Sequence, residues 1–297
     1  MSISRRMFLG TTGGTMTAVA AEPSSAAAHA PLAAVRLART ELPILRAGDV
    51  VVAGGSLMGV QIALSLARAG RKVVLIEPRT YLGREISAHL RPWLPAEPQR
   101  PDLLRACAGD ATALHMDRFK LILEDQVLDA GVDLLYASFP VGLTGAGLVV
   151  ANKSGRQAIQ ARMIVDATET AVVAKLAGAQ FEPAPAQARF HRAIEYDEAG
   201  EWQPGELRVP PHLKLAANRV VLHPGYRGAA HLQVEFGLDL PVGQFTHESW
   251  MQREIEARKR TFALAAFLAA NHPAFRRAYL AHTSYELAGP AASRMTA

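Results

Sequence analysis

A single cysteine, Cys107, occurs in 297 residues, so the chain can form no internal disulfide and has no thiolate set for a structural zinc. No closely spaced histidine, cysteine and acidic cluster such as H-E-x-x-H accompanies it, and a metal scaffold is not expected. Apolar runs approaching the ~20 residues of a membrane span are also missing. That argues against an integral membrane segment, although 49% of the residues are hydrophobic. Aromatic residues are few, at 6%. The dense basic run Arg258-Lys259-Arg260 has no aromatic platform and follows Glu254 and Glu256 at helical spacing, the pattern of a solvated helix face. The net charge of +5 is therefore not a nucleic-acid footprint. What remains is a chain with enough apolar residues to bury one large core or two smaller ones.

The first thirty residues read as an address. Ser4-Arg5-Arg6-Met7-Phe8-Leu9 precedes a mildly apolar Gly/Thr-rich stretch, Gly10 to Ala20, in which Ala18-Val19-Ala20 offers an A-x-A cleavage site. The paired arginines, the phenylalanine two residues on and the low hydrophobicity resemble a twin-arginine export signal. Residues 1–30 are expected to be signal and leader, with the mature protein exported folded to the periplasm or beyond. From about Ala21 to Ala47 the chain reads as an approach segment punctuated by Pro23, Pro31 and Pro43.

Chemistry begins at Asp49. The β-branched run Val50-Val51-Val52-Ala53 predicts a buried parallel strand that stops at Gly54-Gly55. Gly59 to Ala69 carries apolar residues at helical spacing, and Gly70 stands where a left-handed residue ends a helix. A second strand, Lys72 to Glu77, closes a βαβ unit. Glu77 lies 23 residues after Gly54, near the spacing at which a strand-end carboxylate meets adenosine ribose hydroxyls. The turn Gly54-Gly55-Ser56-Leu57-Met58-Gly59 is a G-x-G-x-x-G with Ser56 at its middle glycine. Gly54 permits the tight turn, Gly59 lets helix and strand pack closely, and the residue between them faces a pyrophosphate held by the helix N-terminus. The Ser56 hydroxyl is small enough to stand there and donate to a phosphate oxygen.

Several later segments resemble the FAD-dependent oxidoreductases with a glutathione-reductase-like flavin domain. Pro78 to Ala88 matches the family's loop under the pyrophosphate, with Arg84 replacing its usual second glycine. Phe119 to Ala130 predicts a helix ended by Gly131, then a strand to Tyr136. A hairpin over Leu148 to Ile159 feeds Ala161 to Thr168, where Asp166-Ala167-Thr168-Glu169 stands for the family's Ala-Thr-Gly ending and Glu169 takes the glycine position. The resemblance implies an α/β, three-layer FAD/NAD(P)-binding Rossmann-like fold over residues 48–178. A smaller β-containing substrate or cap region with returning helices would occupy 179–297. FAD is the implied cofactor, contacted at Gly54, Gly55, Ser56, Met58, Gly59, Glu77, Pro78, Arg84, Glu85, Ala167 and Thr168, and near the adenine at Pro140-Val141. A βαβ unit alone would also suit an NAD-dependent dehydrogenase, but the β-rich meander before the last strand is the flavoprotein arrangement.

Beyond Gly178, Pro183, Pro185, Pro204, Pro210 and Pro211 break the chain up, and His231 to Phe236 is the one clear strand. A helix from about Glu248 and a turn at Pro273 follow. Ala291-Ala292-Ser293-Arg294 echoes a family motif after which a further C-terminal stretch would complete the flavin site. The resemblance implies either a truncated or split member, with the missing part supplied by another chain, or a dinucleotide bound with an open flavin end. Catalytic residues are not assigned. His89 and Arg84 lie nearest the flavin loop, and Cys107 has no partner thiol for redox work. The expected activity is hydride transfer from a small organic substrate to FAD. The alternative is a degenerate or truncated flavin-fold protein acting as a non-catalytic subunit, suggested by Ser56, Glu169 and the missing C-terminal stretch.

Overall fold

The computed structural model describes residues 41–94, 102–108, 113–182, 185–242 and 247–289. The export signal and Ser293-Arg294 lie outside them, as do Pro183 and most of the approach segment. Two short strands, β1 (Ile44–Ala47) and β2 (Val50–Ala53), open the described chain and lead into helix α1 (Leu57–Arg68) and strand β3 (Val73–Glu77). Gly70 is left-handed at φ +75°, as its place after the helix predicts. Three helices follow, α2 (Arg84–Ser87), α3 (Asp102–Ala108) and α4 (Met116–Asp129), and then strand β4 (Asp133–Tyr136). The meander β5 (Phe139–Thr144), β6 (Gly147–Asn152) and β7 (Gly155–Gln160) runs into β8 (Met163–Asp166) and the short helix α5 (Val172–Leu176).

Strands β4-β3-β2-β8 form a parallel sheet in that order. Its central strands are apolar on both faces because both are covered. Val50, Val52, Val73 and Leu75 pack on α1 and α4 through Val60, Leu64, Phe119 and Leu123. Val51, Ala53, Val74 and Ile76 turn the other way, onto Leu148, Val150 and Ile159 of the second sheet. That sheet, β1-β7-β6-β5, is the third layer. Strand β1 departs from the sequence expectation, which ended the approach segment at Ala47. Ile44, Arg46 and Ala47 pair in parallel with β7 across an irregularity at Leu45, and Leu45 packs into the core between the sheets.

The second region is richer in strand than its prolines suggest. Strands β9 (Gln187–Asp197), β10 (Gly205–Arg208), β11 (Arg219–Pro224), β12 (Leu232–Pro241) and β13 (Tyr279–Thr283) form one antiparallel sheet ordered β10-β11-β12-β9-β13. Phe190, Ile194, Val234 and Phe236 on its inner face meet Ala257, Leu264 and Leu268 of α6 (His247–Asn271). In β9 the alternation of apolar residues is interrupted at Arg192. That guanidinium is 2% exposed and donates to Glu254 on α6 at 3.0 Å. A buried ion pair at a core position hides the strand's period of two from a reader of the sequence.

Candidate functional site

The C-terminal ends of β2, β3 and β8 converge at the crevice where open α/β sheets place ligands. Gly54 leaves β2 at φ +107°, and a Cβ there would lie 2.4 Å from the Ala167 carbonyl oxygen after β8. A Cβ at Gly59 would lie 1.9 Å from the Gly54 carbonyl oxygen. Both positions therefore exclude any side chain, which lets α1 start directly on the turn. Ser56 is the N-cap of that helix. Its Oγ accepts from Gly59 N at 3.1 Å and donates to Ala167 O at 3.3 Å. The hydroxyl expected to serve a phosphate is thus turned into the protein to close the helix end.

Glu77 ends β3 with 3% exposure. Its Oε2 accepts from Gly55 N at 2.6 Å, and its Oε1 from the Arg79 amide at 2.9 Å. These bonds hold the carboxylate across the turn. Beyond it lies a cluster of charges. The Arg79 guanidinium donates to both carboxylate oxygens of Glu286 and lies 3.2 Å from Glu169. Arg84 reaches Glu169 at 3.0 Å, Glu286 at 3.1 Å and the Nε2 of His89 at 3.2 Å. Glu169 therefore leans across to the arginines rather than lying along the backbone as a glycine would. Burial pushes the Glu286 carboxyl up, but the Arg79 hydrogen bond and the charges of Arg79 and Arg84 outweigh this and hold it below the usual carboxylate range. His89 is driven the other way: burial, then the charge of Arg84, lower it to about 3. It is neutral at physiological pH, accepts at Nε2 from Arg84 and carries its proton on Nδ1.

Glu85 occupies the N-terminal end of α1. Its two carboxylate oxygens accept from Leu57 N at 3.3 and 3.2 Å. Among the described residues this amide is the carboxylate's only hydrogen-bond partner, and Glu85 forms no ion pair.

A cavity of about 770 Å³ opens over these groups, within the range of ligand sites. Gly54, Ser56, Glu77, Pro78, Arg84 and Glu85 line one side of it, and Ala167, Thr168 and Glu169 another. Four predicted contact residues are not in the lining: Gly55 and Gly59 are buried in the turn, Met58 is 66% exposed on α1, and Val141 is 41% exposed on β5, although Pro140 beside it does reach the cavity. Cys107 lies on α3, away from the lining, and burial pushes its thiol up to about 11. The structure adds Arg79, Arg91 and Trp250 to the lining and Glu286 behind it. Arg79 follows Glu77 closely enough to be suspected from sequence. Glu286 lies 207 residues from Arg79 and gave no local signal.

The residues present fit FAD on two observations. The turn packs so closely on backbone at Gly54 and Gly59 that neither admits a Cβ, with Gly54 on the cavity wall, and a buried carboxylate, Glu77, ends the second strand. The groups that would hold FAD are the turn from Gly54 to Gly59, Glu77, and the backbone at Pro140 and Ala167-Thr168.

Comparison with known proteins agrees. A family model described as FAD dependent oxidoreductase matches residues 49–289. No curated protein sequence matches the chain. Among solved structures, a geranylgeranyl bacteriochlorophyll reductase-like protein from Thermoplasma acidophilum superposes with a TM-score of 0.56 at 16% identity, covering 83% of this chain and 66% of that one. CabE, an aromatic hydroxylase from angucycline biosynthesis, gives 0.54 at 17% identity, covering 84% and 54%. At these identities the likeness is one of fold. The chain spans between about half and two thirds of their lengths.

Proposed function

The chain belongs to the FAD dependent oxidoreductase family, and from that premise we propose that it oxidises a small organic substrate by hydride transfer to FAD. The observation that carries the proposal is the Gly54–Gly59 cradle and buried Glu77 opening on a single 770 Å³ cavity. When bound, FAD supplies the two-electron acceptor. The protein's own groups bind and orient. Glu77 would accept from ribose hydroxyls and the Gly54 turn would admit the pyrophosphate, while Arg79 and Arg84 hold Glu169 and Glu286 in place beside the cavity. His89 faces the cavity as a neutral imidazole with a proton fixed on Nδ1, so it offers a polar group without adding charge beside Arg84. Trp250 and Phe190 form an apolar side of the cavity that excludes water from a bound organic molecule.

The test is anaerobic bleaching of the bound flavin by a panel of alcohols, amines and unsaturated acids. Loss of the flavin absorbance with one of them, and its return with air or an electron carrier, supports the proposal. A flavin that no candidate donor reduces, while dithionite does, favours a non-catalytic role.

The proposal extends to location. Arg5-Arg6 and the stretch to Ala20 would send the folded protein across the inner membrane. Fractionation of cells should find wild type outside the cytoplasm and the double substitution R5K/R6K inside it; an unchanged distribution would refute export by this route.

A further inference from the structure

We propose that Glu85 is an internal competitor for the pyrophosphate subsite: its carboxylate holds the α1 N-terminus, and dinucleotide binding must displace it. The inference rests on the FAD reading above and adds a regulating residue to that site. A helix N-terminus presents unpaired amides and about half a unit of positive charge, which is what makes it a phosphate site. Here that charge already faces an anion. Both oxygens of Glu85 bond the amide of Leu57, the first residue of α1, while Ser56 takes the amide of Gly59. Two amides of this turn, Leu57 N and Gly59 N, are therefore engaged by the chain itself.

The neighbouring charges strengthen the case. Glu85 lines the same cavity as Glu77 and Glu169, so a pyrophosphate entering here meets three carboxylates. The guanidiniums of the cavity lining do not pair with Glu85: Arg79 and Arg84 are directed at Glu169 and Glu286, and Arg91 at Glu235. With no ion pair of its own among the described residues, Glu85 is retained by the helix end alone. That attraction is weak, so the side chain can leave; but while it stays it repels the incoming ligand. The site thus binds the dinucleotide more weakly than its cradle allows, and a change at residue 85 alone should release the difference.

The experiment titrates the full chain and its E85A and E85Q variants with FAD, read by flavin fluorescence, and with adenosine, read by calorimetry. Adenosine reaches Glu77 but carries no phosphate for the helix end. The expected result is FAD affinity about tenfold tighter in E85A, from the removal of one like charge beside the helix terminus. E85Q, which keeps an acceptor for Leu57 N but no charge, should fall between wild type and E85A. Adenosine affinity should not change. FAD binding that is equal or weaker in E85A, with adenosine unchanged, would overturn the proposal and leave the FAD reading standing. Variants that gain FAD binding absent from wild type would support it. Folded proteins that bind neither FAD nor adenosine in any form would remove the FAD reading and this inference with it.

Discussion

Placing alanine at Gly59 tests whether the turn is shaped by contact between backbones. In an ordinary helix this change gains about 1 kcal/mol, because glycine is a poor helix former. Here the new Cβ would lie 1.9 Å from the Gly54 carbonyl oxygen and 3.1 Å from the Ala167 Cβ. Neither the carbonyl nor Ala167, just after β8, can yield like a flexible side chain, so relief requires α1 to move off the sheet. Overpacking of this kind costs up to about 3 kcal/mol. The net expectation is a loss of about 2 kcal/mol, or about 4–8 °C in melting temperature for a domain of this size. Thermal and urea denaturation measure it, with Gln61→Ala on the exposed side of the same helix as a control expected within about 0.5 kcal/mol of wild type. FAD affinity should fall in the Gly59 variant because the cradle opens. A variant as stable as wild type, with unchanged FAD affinity, would refute the close-packing argument.

Other consequences are equally direct. Ser56→Ala should lose about 1 kcal/mol by removing the cap on Gly59 N, whereas Ser56→Gly should lose only a few tenths, both read by urea denaturation. Glu286→Gln leaves Arg79 and Arg84 short of a shared carboxylate and should cost about 2 kcal/mol in the same assay. The His89 ring should show no titration by NMR between pH 5 and 8, since its protonation is pushed down to about 3. Because the unfolded ring binds its proton near pH 6.5 and the folded ring does not, stability should be intact above pH 6.5 and fall as pH drops below it. His89→Gln should flatten that fall; an unaltered acid limb would show that His89 does not contribute.

The flavin-domain half of the fold was legible because its signals are local. Val50 to Ala53 is apolar throughout, Gly54 and Gly59 stand at spacings that only a close backbone turn requires, and Glu77 ends the next strand. The second sheet region was less legible because long-range polar contacts replace apolar ones at core positions. Arg192 breaks the alternation of β9 for the sake of Glu254, and no pattern within β9 announces a partner 62 residues away. The charge cluster shows the same limit. Arg84 and Glu169 were each visible as replacements of glycine, but their pairing with one another and with Glu286 depends on the folded chain. The bonds of Ser56 to Ala167 O and Gly59 N likewise depend on the folded turn and have no signal in the sequence.

The most direct measurement is the visible absorption spectrum of the purified, folded protein after gel filtration, with and without added FAD. A flavin spectrum that elutes with the protein, or is acquired on adding FAD, is the expected result. A correctly folded protein that neither retains nor takes up FAD would contradict the assignment of the Gly54 turn and Glu77 as a flavin dinucleotide site.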